Sequence, residues 1–237
     1  MRKLALAAAI GTLSAVGVAA ALAAGTWPSL TVKPIVSPNK AGTPKHPRGV
    51  RLTTIFHWQD LGQASQPIVI TFKLLFPRGA LYQGNKYPTC SLARVNRGPQ
   101  ACPKGSIMGH GTGTAFADTT VTHPSITVVN GGQSHIWFYT VLNNPARVQE
   151  LVVGNITRMR GKWAYRLTVT VPQNLRIVAG VPIELTSLNV TAGKGSWIAT
   201  TGCFGGHWSY SVTTGYENPN TGAQGSSSYS ASVHCRK

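Results

Sequence analysis

The sequence predicts an all-β protein: an antiparallel β-sandwich, jelly-roll or Ig-like, in one large domain. Two smaller sandwiches, parted near Val141–Gln149, are the alternative arrangement. Three observations carry this expectation. Val, Ile, Thr, Tyr, Trp and Phe come in short runs broken by Gly, Pro, Asn and Ser. Several runs alternate with a period of two, the signature of a strand with one buried face. No stretch beyond residue 25 has the spacing of an amphipathic helix.

Taken in order, Arg2 and Lys3 precede a small and apolar stretch from Leu4 to Ala24. A basic start, an apolar middle and the small residues Ala21-Leu22-Ala23-Ala24 predict a secretory signal peptide over 1–24. An uncleaved membrane anchor is the competing reading, since about 20 apolar residues can span a bilayer. Residues 25–49 hold Pro28, Pro34, Pro38, Pro44 and Pro47 and few large apolar side chains, and so predict an extended linker. The folded domain is then expected over 50–237.

Within it, Val50–Trp58 is the first expected strand. Pro67–Phe76 is apolar almost throughout and predicts a strand covered on both faces. Gly113–Ala117, Ile126–Asn130, Ile136–Leu142 and Leu151–Ile156 follow. In Ala164–Val171, Tyr165, Leu167, Val169 and Val171 share one face, against Arg166, Thr168 and Thr170 on the other. The short link Arg160-Gly161-Lys162 predicts a hairpin tip before that strand. Ile183–Val190, Ser196–Thr200, the alternating Trp208, Tyr210 and Val212, and Ser228–His234 complete the set.

The chain of 237 residues has 22 Lys and Arg against 5 Asp and Glu, a formal net charge of +17. Its apolar content of 42% suffices for a core, which argues against disorder by charge excess. The five acids are Asp60, Asp118, Glu150, Glu184 and Glu217. Being scattered along the chain, they disfavour calcium cages, two-metal sites and acidic catalytic clusters.

All four cysteines lie beyond the signal segment. An even count in an exported chain predicts two disulfides, and of the three possible pairings the spacing favours Cys90–Cys102 and Cys203–Cys235. The competing use of Cys203, His207, His234 and Cys235 is a zinc set. That spacing matches no common finger, and export favours oxidation. No cofactor is expected.

Two local patterns stand out. One is Tyr87-Pro88-Thr89-Cys90, followed at Cys102-Pro103-Lys104-Gly105-Ser106 by Gly109, Gly111 and Gly113. The other is Thr201-Gly202-Cys203-Phe204-Gly205-Gly206-His207-Trp208, closing at Cys235. Together they resemble a family of small exported actinobacterial proteins of uncharacterised function. The resemblance covers nearly all the chain after about Val50. It implies a signal peptide, a β-sandwich and two disulfides, and no established activity. The chain departs from the pattern in placing His207 between Gly206 and Trp208.

Gly109, Gly111 and Gly113 lack the spacing and the following helix of a phosphate loop. His110, His123 and His135 with Asp118 would be a hydrolase trio, but no Gly-x-Ser-x-Gly elbow is present. Arg158, Arg160, Lys162 and Arg166 gather around one hairpin with Trp163, and these five are the candidate ligand-binding residues. A positive patch with aromatics binds phosphate-rich polymers by charge and stacking. For an exported chain the expected partners are anionic envelope polymers or lipid head groups rather than nucleic acid. The reading is therefore a non-catalytic, secreted or envelope-associated interaction protein. Its rival is a secreted hydrolase or carbohydrate-active enzyme using Asp118, Glu150 or a histidine.

Overall fold

The computed structural model describes residues 27–62 and 67–237; the expected signal peptide, 1–24, lies outside them. Sixteen strands form. The first eight are β1 (Leu30–Ser37), β2 (Arg48–Gly49), β3 (Arg51–Trp58), β4 (Ile68–Pro77), β5 (Ala80–Tyr82), β6 (Ile107–Ala117), β7 (Thr120–Thr122) and β8 (Ser125–Asn130). The rest are β9 (His135–Leu142), β10 (Val148–Arg158), β11 (Trp163–Thr170), β12 (Ile177–Val178), β13 (Val181–Ala192), β14 (Ile198–Thr200), β15 (His207–Glu217) and β16 (Gln224–His234). Two α-helical turns, α1 (Leu92–Val95) and α2 (Gln173–Arg176), and two 3-10 turns, Gly84–Lys86 and Pro99–Ala101, lie in connections among the described residues.

Eleven strands run in one sheet in the order β1-β3-β13-β6-β8-β9-β10-β11-β4-β15-β16, each antiparallel to its neighbours. An odd number of alternating strands leaves the first and last pointing the same way, so a closing seam must be parallel. The bridge between Lys40 and Arg236, just past the ends of β1 and β16, is indeed parallel. Ala41 N–H donates to Arg236 O (2.8 Å), and Arg236 N–H donates to Asn39 O (2.9 Å). At the other end of the seam Trp27 stacks on Tyr216, with ring centroids 6.1 Å apart.

The sheet is thus nearly closed into a barrel, which corrects the sandwich expectation, jelly-roll or Ig-like. One sheet curls round and packs against itself. It passes unbroken through Val141–Gln149, where β9 and β10 form a hairpin, so the two-sandwich alternative is corrected too. The expected linker is also revised: Leu30, Val32 and Val36 of β1 are buried, and β1 pairs with β3 over its whole length. Its Pro34 is tolerated because β1 borders the seam. β4, expected to be covered on both faces, buries Phe72 toward the core but exposes Lys73.

The strand registers assign every chain reversal to one of two ends. Three connections at the end holding Arg51, Pro77 and His207 (here the floor) each donate one strand to a small sheet, ordered β2-β14-β5. Trp197, preceding β14, is fully buried beneath it. Both expected disulfides form, Cys90–Cys102 and Cys203–Cys235, with sequence separations of 12 and 32. The first pins a loop on the outer wall, where Val95 packs beside Trp137 and Val129. The second ties the connection before β15 to the C-terminus. Closing a loop of that length restricts the unfolded chain by roughly 3–4 kcal/mol. Cys203→Ser is therefore expected to lower unfolding stability by about 2–5 kcal/mol in a denaturant titration.

At the opposite end (the mouth), Val171–Gly180 crosses from β11 to β13, five places away in the sheet order. This strap contains α2. Asn174 donates to Glu150 Oε2 (3.0 Å), and Arg176 bridges Glu217 Oε2 (3.4 Å).

Candidate functional site

Inward-facing residues come from alternate strand positions. β13 shows how the pattern survives an irregularity: Ile183 and Leu185 face in, the register shifts between Leu185 and Ser187, and Leu188, Val190 and Ala192 then face in. A bulge adds one residue and so exchanges odd for even positions. On β6 the buried face is Gly111, Gly113, Ala115 and Ala117, all small. A Cβ on Gly111 would sit 2.8 Å from Val190 Cγ2, and one on Gly113 would sit 3.0 Å from Pro124 Cγ. The glycine run is therefore a strand face over which Val190 and Pro124 close in.

Ala115 of this face, with Val190 and Pro124, lines a cavity of about 200 Å³ inside the barrel. Phe56, Phe72, Phe138, Val128, Leu167 and Leu188 are among its walls, Trp197 and Ile198 belong to its floor, and Leu175 and Arg176 come from the strap. Arg176 is the one charged residue among them.

The outside is the reverse. One row across the wall reads Asn155, Thr168, Lys73, Thr213 and Ser228, and the next adds Thr170, Thr71, Gly215 and Ser226. A polar exterior around an apolar interior is opposite to the polarity of a membrane-spanning β-barrel. No helix among the described residues is long and apolar enough to cross a membrane.

Charge is segregated along the barrel axis. All five carboxylates belong to the mouth end: Asp60 follows β3, Asp118 turns between β6 and β7, Glu150 and Glu184 lie near the starts of β10 and β13, and Glu217 ends β15. Among the described residues only Arg147 and Arg176 accompany them there as Lys or Arg. The floor end carries Arg48 and Arg51 around β2, Arg78 after β4, Lys194 before β14, and Arg236 and Lys237 after β16. Arg94 and Arg97 in the Cys90–Cys102 loop, with Lys86 and Lys104 just outside it, flank this end.

The five candidate binding residues are placed at this basic end and the adjoining wall. Arg158, closing β10, stands opposite Tyr165, and Arg160 and Lys162 are exposed at the hairpin tip. Lys162 Nζ lies 5.0 Å from the centre of the Trp163 ring. Arg166 is further up the wall, half-buried, beside Leu75 of β4. Trp163 pairs with Pro77, which brings the hairpin beside Arg78, whose guanidinium lies 4.8 Å over the Phe204 ring. Phe204 is half exposed. Arg78 and Phe204 are not joined to the hairpin in the sequence, because they lie 85 positions before and 41 positions after Trp163, and only the β11–β4 pairing and the Arg78–Phe204 contact bring them together.

The residues considered for catalysis are dispersed. His110 is on the outer wall in mid-strand, His135 stacks on Trp137 toward the floor, and Asp118 and His123 are at the mouth. Glu150 accepts from Asn174, and Glu217 pairs with Arg176. Cys203 and Cys235 are bonded to each other, leaving His207 and His234 as an exposed cross-strand pair with ring centres 5.5 Å apart.

Glu184 differs from the other acids. It is 4% exposed, and its Oε1 has no partner among the described residues. Burial, reinforced by the Asp60 charge, raises its pKa from 4.5 to about 7, against a hydrogen bond from the Leu61 backbone. A raised folded-state pKa means that the folded protein holds this proton more tightly than the unfolded chain does. The associated stability is complete below about pH 4.5 and is lost as pH rises to about 7. The loss is on the order of 3 kcal/mol. Glu184→Gln is expected to flatten this decline and to be the more stable protein at pH 8. Urea titrations at pH 5 and pH 8 read the difference; an unchanged decline in the variant would exclude Glu184 as its source.

These features define the class: an antiparallel eleven-stranded barrel-like protein with an apolar interior, a polar outer wall and oppositely charged ends. Comparisons with protein-family models, curated proteins and solved structures found no match.

Proposed function

We propose that this is an exported, non-catalytic binding protein that docks its basic floor end on anionic, phosphate-rich envelope polymers or lipid head groups. The segregation of charge supports this reading most directly. With the Asp and Glu side chains at the far end, the field at the floor is positive and opposed by no acidic side chain, which favours encounter with a polyanion in one orientation. Trp163 under Lys162 and Phe204 under Arg78 add aromatic faces to the same rim. The two disulfides accord with an oxidising compartment and hold the rim connections in place. The rival hydrolase reading has weaker support, since Glu184 and Asp60, the interacting acids, include one that is shut away from solvent.

Co-sedimentation with anionic vesicles, and in parallel with polyphosphate, tests the proposal across salt concentrations. Screening lengths shorten from about 30 Å at 0.01 M to about 3 Å at 1 M, so adhesion is expected to fade over that range. Adhesion indifferent to salt would refute the charge-driven reading.

A further inference from the structure

The barrel interior is not used by the surface docking just described, and it has the makings of a second site. Its cavity of about 200 Å³ is lined by apolar side chains from eight barrel strands and from β14, with Thr54 and Thr140 as minor polar contributions. Cavities of this kind stay dry, and one of about 150 Å³ accepts benzene. By proportion, about 200 Å³ takes an apolar group of roughly eight carbons. On β6 only Ala115 reaches the cavity, since Val190 and Pro124 pack over Gly111 and Gly113 and line it in their place.

Among the described residues, the one charged member of the lining, Arg176, sits at the mouth. Arg176 gives Nη1 to Glu217, while its Nε is buried without a partner among the described residues. A guanidinium offers five donors in a fixed fork suited to a carboxylate. We infer that the barrel binds a medium-chain monocarboxylate, with its chain in the cavity and its carboxylate against Arg176 beneath the strap. The strap supplies the way in. It is tied to the rim through Asn174–Glu150 and Arg176–Glu217, and its far foot turns through the positive φ angles of Ala179 and Gly180.

Isothermal titration of the full protein with octanoate at pH 8 tests this, with butanoate, hexadecanoate and 1-octanol as companions. One-to-one binding of octanoate is expected, at least ten-fold tighter than butanoate, hexadecanoate or the uncharged alcohol. Arg176→Gln should weaken octanoate at least ten-fold and leave 1-octanol unchanged. Ala115→Leu fills the cavity and should abolish binding with the thermal midpoint kept or raised; Val128→Leu serves if Ala115→Leu fails to fold. Absence of octanoate binding, or equal binding by the Arg176→Gln protein, would overturn the assignment. Vesicle adhesion by the same variants should be unaltered, so the two sites fail or stand separately.

Discussion

Asn130→Asp is expected to lower the thermal midpoint by about 10–20 °C. Asn130 ends β8 at the barrel floor and is wholly buried. Its amide donates to Gly84 O (2.7 Å) and Pro88 O (3.1 Å), while its Oδ1 accepts from Gly132 N–H (3.1 Å) and Trp197 Nε1–H (3.0 Å). One side chain thereby joins the barrel to the turn before Cys90 and to the small sheet beneath which Trp197 lies. A carboxylate there keeps the acceptor and loses the amide's donations, and it faces three carbonyls, those of Gly84, Tyr87 and Pro88, with a buried charge. Each buried group left without a partner costs about 1–3 kcal/mol, more where charge is involved. A total of about 4–6 kcal/mol is a large part of the roughly 5–15 kcal/mol that stabilises a domain. At about 2–4 °C per kcal/mol for a chain of this size, the midpoint falls by the stated amount. Thermal unfolding followed by circular dichroism reads it, and a shift of under about 5 °C would mean that the floor is held elsewhere.

Replacing Arg158, Arg160 and Lys162 together by Gln is expected to weaken adhesion to anionic vesicles by about 100-fold. A basic residue near such a surface contributes about 1 kcal/mol, so three contribute about 3 kcal/mol. The control must lose equal charge away from the rim. Lys33 and Lys73, in mid-wall, and Arg147, at the mouth, meet that condition. Lys40 and Lys45 do not, because the connection after β1 returns them to the floor end beside Arg236. The hairpin variant should lose far more than the control. Equal losses would reduce the effect to net charge.

Individual strands were legible because a barrel wall and a sandwich face impose the same alternation. Leu167, Val169 and Val171 read as one inner face, and they line the barrel interior. The closure was not legible, since a period of two says nothing about which edges meet. β1 was hidden by its prolines, a feature that an edge strand tolerates and a linker shares. The local disulfides followed from spacing, and the hairpin from its Gly161 tip. The packing over the glycine run could not be read, because Gly111 and Gly113 look like flexibility unless their strand and its neighbours Val190 and Pro124 are known. Charge segregation was equally concealed. The acids are spread from position 60 to position 217, and only the reversal of direction at every strand end gathers them at one mouth.

Amide hydrogen exchange of the protein, with and without polyphosphate at low salt, tests the docking orientation most directly. Added protection is expected in Arg158–Trp163, around Arg78 and through Phe204–Gly206, with none in the Asn218–Ala223 turn or at Asp118. Protection concentrated at that acidic mouth, or spread evenly around the barrel, would contradict it.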